Sequence, residues 1–163
     1  MPTRELFRRF RELHELHKLG VLSPEEAEAY RSLRSEFYSA LMQAQQLKAR
    51  LGETARQTVR VAAAKKIALT MDGRTVGTMT CEIGVEGVAA FVDADLPIGS
   101  SCDFVLSVGG HPLPGQAYVV ACVRHGSGGV THRASFALDA MSDDNRARLE
   151  IAVLDAALAL LPK

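Results

Sequence analysis

Glycine is distributed so unevenly along this chain that a single type of secondary structure cannot account for it. Residues 1–51 hold one glycine, Gly20, and the other twelve fall between Gly52 and Gly129 with valine, threonine and alanine among them. Glycine costs most inside a helix and serves best in turns and bulges. The break near Gly52 therefore predicts a helical module over 1–52 and a strand-and-turn domain over 53–163.

The first module carries clear start and stop signals. Leu6, Phe10, Leu13 and His17 repeat at helical spacing from about Thr3 to Leu19, and Leu16 and Leu19 widen the stripe. Gly20 suits a left-handed stop, with Val21 or Leu22 placed to make a contact back onto the helix. Ser23-Pro-Glu-Glu26 then opens a second helix: serine as N-cap, proline at the first helical position and Glu26 closing a capping box. So short a link predicts an antiparallel helical hairpin.

Helix two, from Pro24 to about Leu51, places Tyr30, Leu33, Phe37, Ala40, Ala44, Leu47 and Leu51 at heptad a and d positions. Such a seam either joins copies of the chain or lays an amphipathic helix on its own domain; its length favours a homo-oligomer. The segment Leu16-His-Lys-Leu-Gly-Val-Leu-Ser-Pro-Glu-Glu26 resembles the short helical hairpins of SHOCT type, which the resemblance implies are oligomerisation elements.

From Val61 the pattern alternates. Strands are predicted at 61–69, 75–83, 87–93, 101–108, 116–124 and 131–138, separated by Asp72-Gly73, Gly84, Pro97-Ile-Gly99, Gly109-Gly110 and Gly126-Ser-Gly-Gly129. Asp-Gly between apolar runs is a hairpin signal. Six short strands at this spacing predict a closed antiparallel barrel or a sandwich. Ser142-Asp-Asp-Asn145 opens a last helix with acids at its positive end. Beyond Glu150 this helix is apolar on nearly every side, so it is expected to be buried under the strands or against another subunit.

Balanced charge, 19 basic against 19 acidic residues, gives no whole-molecule attraction to nucleic acid or membrane. No apolar run approaches a membrane span, and no charged start leads into a signal sequence. Cys81, Cys102 and Cys122 are odd in number, widely spaced and set in apolar runs, which fits buried thiols in a reducing cytoplasm. His14 and His17 are spaced to chelate a metal, but no acid or cysteine accompanies them, so core or surface histidines are expected and no metal or cofactor is assigned. His111, His125 and His132 have no nucleophile in an elbow motif beside them; with no P-loop or dinucleotide fingerprint either, the chain does not read as an enzyme.

Two arginines, Arg56 and Arg60, stand four residues apart just before the first strand. Each offers a planar fork that matches a phosphate or the O6/N7 edge of guanine. Further along lies Glu82-Ile-Gly84-Val-Glu-Gly87. With these residues, the stretch from about 55 to 163 resembles a PilZ domain, the bacterial receptor module for cyclic di-GMP. Arg56 and Arg60 match its Arg-x-x-x-Arg. Residues 82–87 stand where it carries Asp/Asn-x-Ser-x-x-Gly, with the final glycine kept, the acid one carbon longer and glycine in place of serine. Leu96-Pro-Ile-Gly99, Val119-Val-Ala-Cys-Val-Arg124 and Phe136-Ala-Leu138 also fit.

The resemblance implies an α+β chain: a six-stranded antiparallel PilZ-like barrel with a C-terminal helix, preceded by the helical hairpin. It implies a bacterial cyclic di-GMP receptor acting on a protein effector, with Arg56, Arg60, Glu82, Gly84 and Gly87 at the ligand. Ligand would order the segment 54–61 and re-aim the barrel relative to the helices. The alternative is an adaptor of the same fold that has lost the dinucleotide and works through oligomerisation and protein contacts. A DNA-binding barrel is disfavoured, since the strands lack interleaved aromatics and the chain has no tryptophan.

Overall fold

A computed structural model describes residues 4–49, 58–124 and 131–161. Arg56, Leu51 and the Gly126–Gly129 turn lie outside the described residues, as does the side chain of Leu47. The chain forms two units, Met1–Val59 and Arg60–Lys163, so Arg60 is the first residue of the second.

The first unit is the helical hairpin. α1 spans Arg4–Leu19 and α2 spans Pro24–Ala49. Gly20 has φ +71°. Its N–H donates to the His17 carbonyl at 3.0 Å and that of Val21 to the Leu16 carbonyl at 3.2 Å, the paired bonds of a Schellman stop. The capping box is reciprocal, Ser23 N–H donating to Glu26 Oε1 and Glu26 N–H to Ser23 Oγ, each at 3.1 Å. Ser23, first through its backbone N–H and then through its hydroxyl, holds the Glu26 carboxyl below its ordinary pKa.

The hairpin core is aromatic. Phe10 stacks on Tyr30 with centroids 5.5 Å apart and tilts against Phe37 at 4.9 Å, while Phe7 meets Phe37 edge-on at 5.9 Å. His14 is fully buried, with Nδ1 2.9 Å from the Tyr30 hydroxyl. The aromatic contact stripe of α1 is thus Phe7, Phe10, His14 and His17; it keeps Phe10 and His17 of the expected stripe and adds Phe7 and His14. Leu13 is buried as predicted, but Leu6 and Leu16 are only half-buried and Leu19 is exposed. Of the heptad residues of α2, Tyr30 and Phe37 face α1 of the same chain. Leu33 and Ala40 are half-buried, and Ala44 is exposed.

The second unit is a closed antiparallel barrel. Its strands are β1 Val61–Ala62, β2 Lys66–Met71, β3 Arg74–Ile83, β4 Gly87–Val92, β5 Ser101–Val108, β6 His111–Arg124 and β7 His132–Ala140. Six of them run in the order β3-β2-β5-β6-β7-β4, the β3–β4 pairing closes the ring, and the two-residue β1 adds to β3. Asp72 and Gly73, at φ +51° and +79°, make the predicted hairpin between Met71 and Arg74. Inward-facing Ile67, Leu69, Ile83, Val88, Phe104, Leu106, Leu113, Val119 and Phe136 fill the barrel.

Two strands depart from expectation. The single strand 61–69 is broken at 63–65, where the buried Thr80 side chain replaces a ladder rung. Its hydroxyl donates to the Ala63 carbonyl at 2.8 Å and accepts from Lys65 N–H at 2.9 Å. The fifth long strand starts at His111 rather than 116, running through Pro112 and Pro114. Over that stretch β6 pairs with β5 alone, because its pairing with β7 starts at Gln116. Alternate prolines there place their missing N–H groups on the open side.

α3, Asp143–Ala159, is capped by Ser142, whose hydroxyl accepts from Asn145 N–H at 3.2 Å. Leu149, Ala152, Val153, Leu154, Ala157 and Leu158 are buried, and the helix packs against β1, β5 and β6. Ile151 and Ala156 on the same helix are half-buried, and Ala159 is exposed. Cys102 is buried, and burial, with the Asp103 charge, pushes its thiol pKa up; Cys81 and Cys122 are half-buried free thiols.

Candidate functional site: the outer wall of β4

The site is built by register. Val61 pairs with Ile83 and Ala62 with Glu82, so Arg60, one residue earlier, comes in beside Gly84 at the β3–β4 turn. That turn is fixed from both sides: Leu138 N–H donates to the Glu86 carbonyl at 2.9 Å, and Arg146 Nη1 to the Val85 carbonyl at 3.1 Å.

Glu82 points outward because β3 carries a bulge. Thr80 pairs with Ala90 and Glu82 with Ala89, leaving Cys81 as the extra residue. Thr80 is buried and inward. With strict period-two alternation Glu82 would follow it into the barrel; one inserted residue returns the carboxylate to the outer wall, while Ile83 still faces in.

On β4 the residues Gly87, Ala89 and Phe91 share this outer wall. Gly87 meets Arg60: a Cβ built there would overlap Arg60 Nη2, and it would stand 3.0 Å from Cζ and 2.9 Å from the Phe136 carbonyl oxygen. Only a residue without a Cβ lets the guanidinium settle there. Ala89 is opposite Glu82 on β3. Phe91 is opposite Arg133 on β7, whose neighbours Ala134 and Phe136 alternate with it between interior and exterior.

Arg133 Nη2 donates to Glu82 Oε1 in an ion pair that crosses β4 from β7 to β3. The pair is partly solvated, with side-chain exposures of 35% for Arg133 and 19% for Glu82. Burial works against the charge of Arg133, yet the hydrogen bond and charge of Glu82, assisted by Cys81, hold its pKa above the ordinary guanidinium value.

The structure thus brings Arg60, Glu82, Gly84 and Gly87 to one wall of the barrel. It adds Arg133, which no motif signalled; its mark in the sequence is a basic residue beside His132 at the start of the strand HRASFALDA. Arg56 lies outside the described residues. Gly84 is buried and does not adopt a positive φ. His14 and His17 stack in the hairpin core around Tyr30, and the described residues contain no group of three metal-ligating side chains. No helix among the described residues is long and apolar enough to cross a membrane.

No protein-family model matches the chain, and no curated protein matches it. Solved structures do. The chain is similar to the Bacillus subtilis inhibitor of motility MotI/DgrA, with a TM-score of 0.57 and 14% identity over 66% of this chain and 53% of that one. It is similar to the PilZ domain of Escherichia coli YcgR with c-di-GMP, TM-score 0.52 and 14% identity, over 64% of this chain and 92% of that domain. The longer YcgR structure in complex with c-di-GMP gives 0.52 and 18% identity over 61% of this chain and 45% of that one. The match therefore spans about half the length of MotI and of the longer YcgR chain. The fold of the barrel unit is PilZ-like, as the sequence motifs implied.

Proposed function

We propose that this chain is a PilZ-type regulatory protein that takes cyclic di-GMP on the outer wall of β4. The observation that carries the reading is Arg60 seated on Gly87 beside the outward carboxylate of Glu82 and the buried Gly84. Arg56 and Arg60 supply forks for phosphate and guanine O6/N7, Glu82 accepts from guanine N1–H and N2–H₂, and the backbone at 84–87 forms the opposing surface. The YcgR domain of the same fold is a complex with c-di-GMP. Because both arginines stand in sequence between the hairpin and the barrel, a ligand held by both acts on the segment that joins them, and the output is a protein contact rather than a reaction. The helices make the regulator a homo-oligomer in a bacterial cytoplasm.

A second reading is favoured by one observation: Glu82, the guanine acceptor, is engaged by Arg133, and Gly84 has no hydroxyl to offer. On that reading the chain is an adaptor that works through oligomerisation and protein contacts. Titration calorimetry of the full chain with cyclic di-GMP separates the two. The receptor binds, and Arg60→Lys weakens binding nearly as much as Arg60→Ala because lysine has no fork. A parent chain that releases no heat and shows no mobility change with cyclic di-GMP is the adaptor.

A further inference from the structure

Charges alternate along the outer wall of β4. Arg60 sits at Gly87, Glu82 stands opposite Ala89 and Arg133 opposite Phe91, each step being two residues along one strand. A two-residue step is about 7 Å, so the row places an acceptor between two guanidinium groups over about 13 Å of strand. Only Arg60 and Glu82 of these three answer to the recognised motif.

Resting on the cyclic di-GMP reading above, we propose that Arg133 is a further ligand-binding arginine of this site, and that the dinucleotide enters by partner exchange with the Glu82–Arg133 pair. A phosphate oxygen replaces the Glu82 carboxylate oxygen in the Arg133 fork. The freed carboxylate accepts from a guanine N1–H and N2–H₂. One ligand supplies both new partners, so neither charge is left without one, and breaking the pair carries little net electrostatic cost. No covalent bond or proton changes hands. The exchange also assigns Glu82 a second role: with no ligand present it keeps Arg133 extended along the wall and turned toward β3.

Three features support exchange over a fixed structural strap. The pair is partly open to solvent, so an incoming anion reaches Arg133 without unfolding a strand. Arg133 is the second residue of β7, paired with Phe91 on one side and Val123 on the other, so its backbone is held on both sides while the side chain re-aims. And a guanidinium keeps its positive charge whether it faces a carboxylate or a phosphate, so the exchange needs no proton.

The test is titration of the full chain with cyclic di-GMP for the parent, Arg133→Ala, Arg133→Lys, Glu82→Gln and Arg60→Ala, with thermal melts alongside. Exchange predicts that Arg133→Ala weakens binding about 10- to 100-fold, the range for a lost charge-assisted hydrogen bond. Arg133→Lys keeps the charge without the fork and weakens binding by a smaller factor, and the salt dependence of affinity becomes shallower in the alanine variant. A structural strap predicts lowered melting temperatures with unchanged affinity for the folded variants. A latch that ligand must break without using Arg133 predicts tighter binding in Arg133→Ala. Either of these results, in a parent that binds and loses binding with Arg60→Ala, overturns the proposal alone. A parent that does not bind cyclic di-GMP overturns this proposal together with the reading it rests on.

Discussion

Arg60 occupies the space that a side chain on Gly87 would need. The same missing Cβ also keeps clear of the Phe136 carbonyl on the neighbouring strand, 2.9 Å from where it would stand. Glycine at 87 therefore serves the packing of β4 on β7 and the seating of the arginine at once. Gly87→Ala is expected to destabilise the barrel by about 1–3 kcal/mol through overpacking, and to displace the guanidinium. Denaturant unfolding reads the first effect and cyclic di-GMP titration the second. An alanine variant with parent stability would show that the strand shifts to admit the methyl group.

The break between β1 and β2 depends on one hydroxyl. Thr80 is buried and bridges the Ala63 carbonyl to the Lys65 N–H, so Thr80→Val, nearly equal in shape, leaves both backbone groups without that partner. A loss of about 1–3 kcal/mol is expected, as for a buried polar group left unsatisfied. Since β1 sets the position of Arg60, the same variant is expected to bind cyclic di-GMP less tightly. Stability equal to the parent in urea would show that water replaces the hydroxyl.

Oligomerisation through α2 has to use residues that α1 leaves available. Tyr30 and Phe37 are packed against Phe10 within the chain, so Phe37→Ala is expected to cost about 3–5 kcal/mol and to loosen the hairpin itself. Leu33→Gln with Leu47→Gln is the cleaner test. It is expected to give a smaller species by light scattering with helical content retained. A parent chain that is already monomeric overturns the oligomer.

The acid limb of the hairpin's stability has an identifiable contributor. Ser23 depresses the folded pKa of Glu26 below its ordinary value. A depressed carboxyl stabilises the folded state fully above the unfolded-chain pKa, and the contribution is lost as pH falls from there through the lower folded value. Glu26→Gln is therefore expected to flatten that part of the stability profile and leave it unchanged near neutrality beyond a constant offset. Profiles of parent and variant that stay parallel below the ordinary glutamate value would remove Glu26 from the account.

Much of this was legible because it is local. Gly20, the Ser23–Glu26 box, Asp72-Gly73 and the Ser142 cap each act within a few residues, and each stands where the sequence placed it. What stayed hidden is what only register decides. The bulge at Cys81 that turns Glu82 outward has no sequence signature, and neither does the arrival of Arg133 two strands away. The expected strand begins at 116, and the five residues from His111 that precede it, with Pro112 and Pro114, are tolerated because β7 is not paired with them. The expected stripe of α1 is one position short on one side: Phe10, Leu13 and His17 stand in the core or on Tyr30 as expected, but Phe7 and His14 join them in place of Leu6, because the aromatic partners on α2 accept rings there.

The two departures from the family motif can be reversed together. Gly84 does not use a positive φ, so serine meets no backbone penalty there. Glu82→Asp draws the carboxylate one methylene closer to β3, which shortens its reach toward Arg133 and weakens the ion pair across β4. The double variant Glu82→Asp with Gly84→Ser therefore gains a hydroxyl donor while loosening the contact that competes for its acceptor. If the parent binds cyclic di-GMP, the double variant is expected to bind about tenfold or more tightly, since a hydrogen bond to a charged group contributes about 1.5–3 kcal/mol. If the parent does not bind and the double variant does, the chain is an adaptor whose barrel keeps the architecture of the receptor. A folded double variant that binds no better than the parent, with Arg60 intact, would show that these two positions do not set the affinity of this wall.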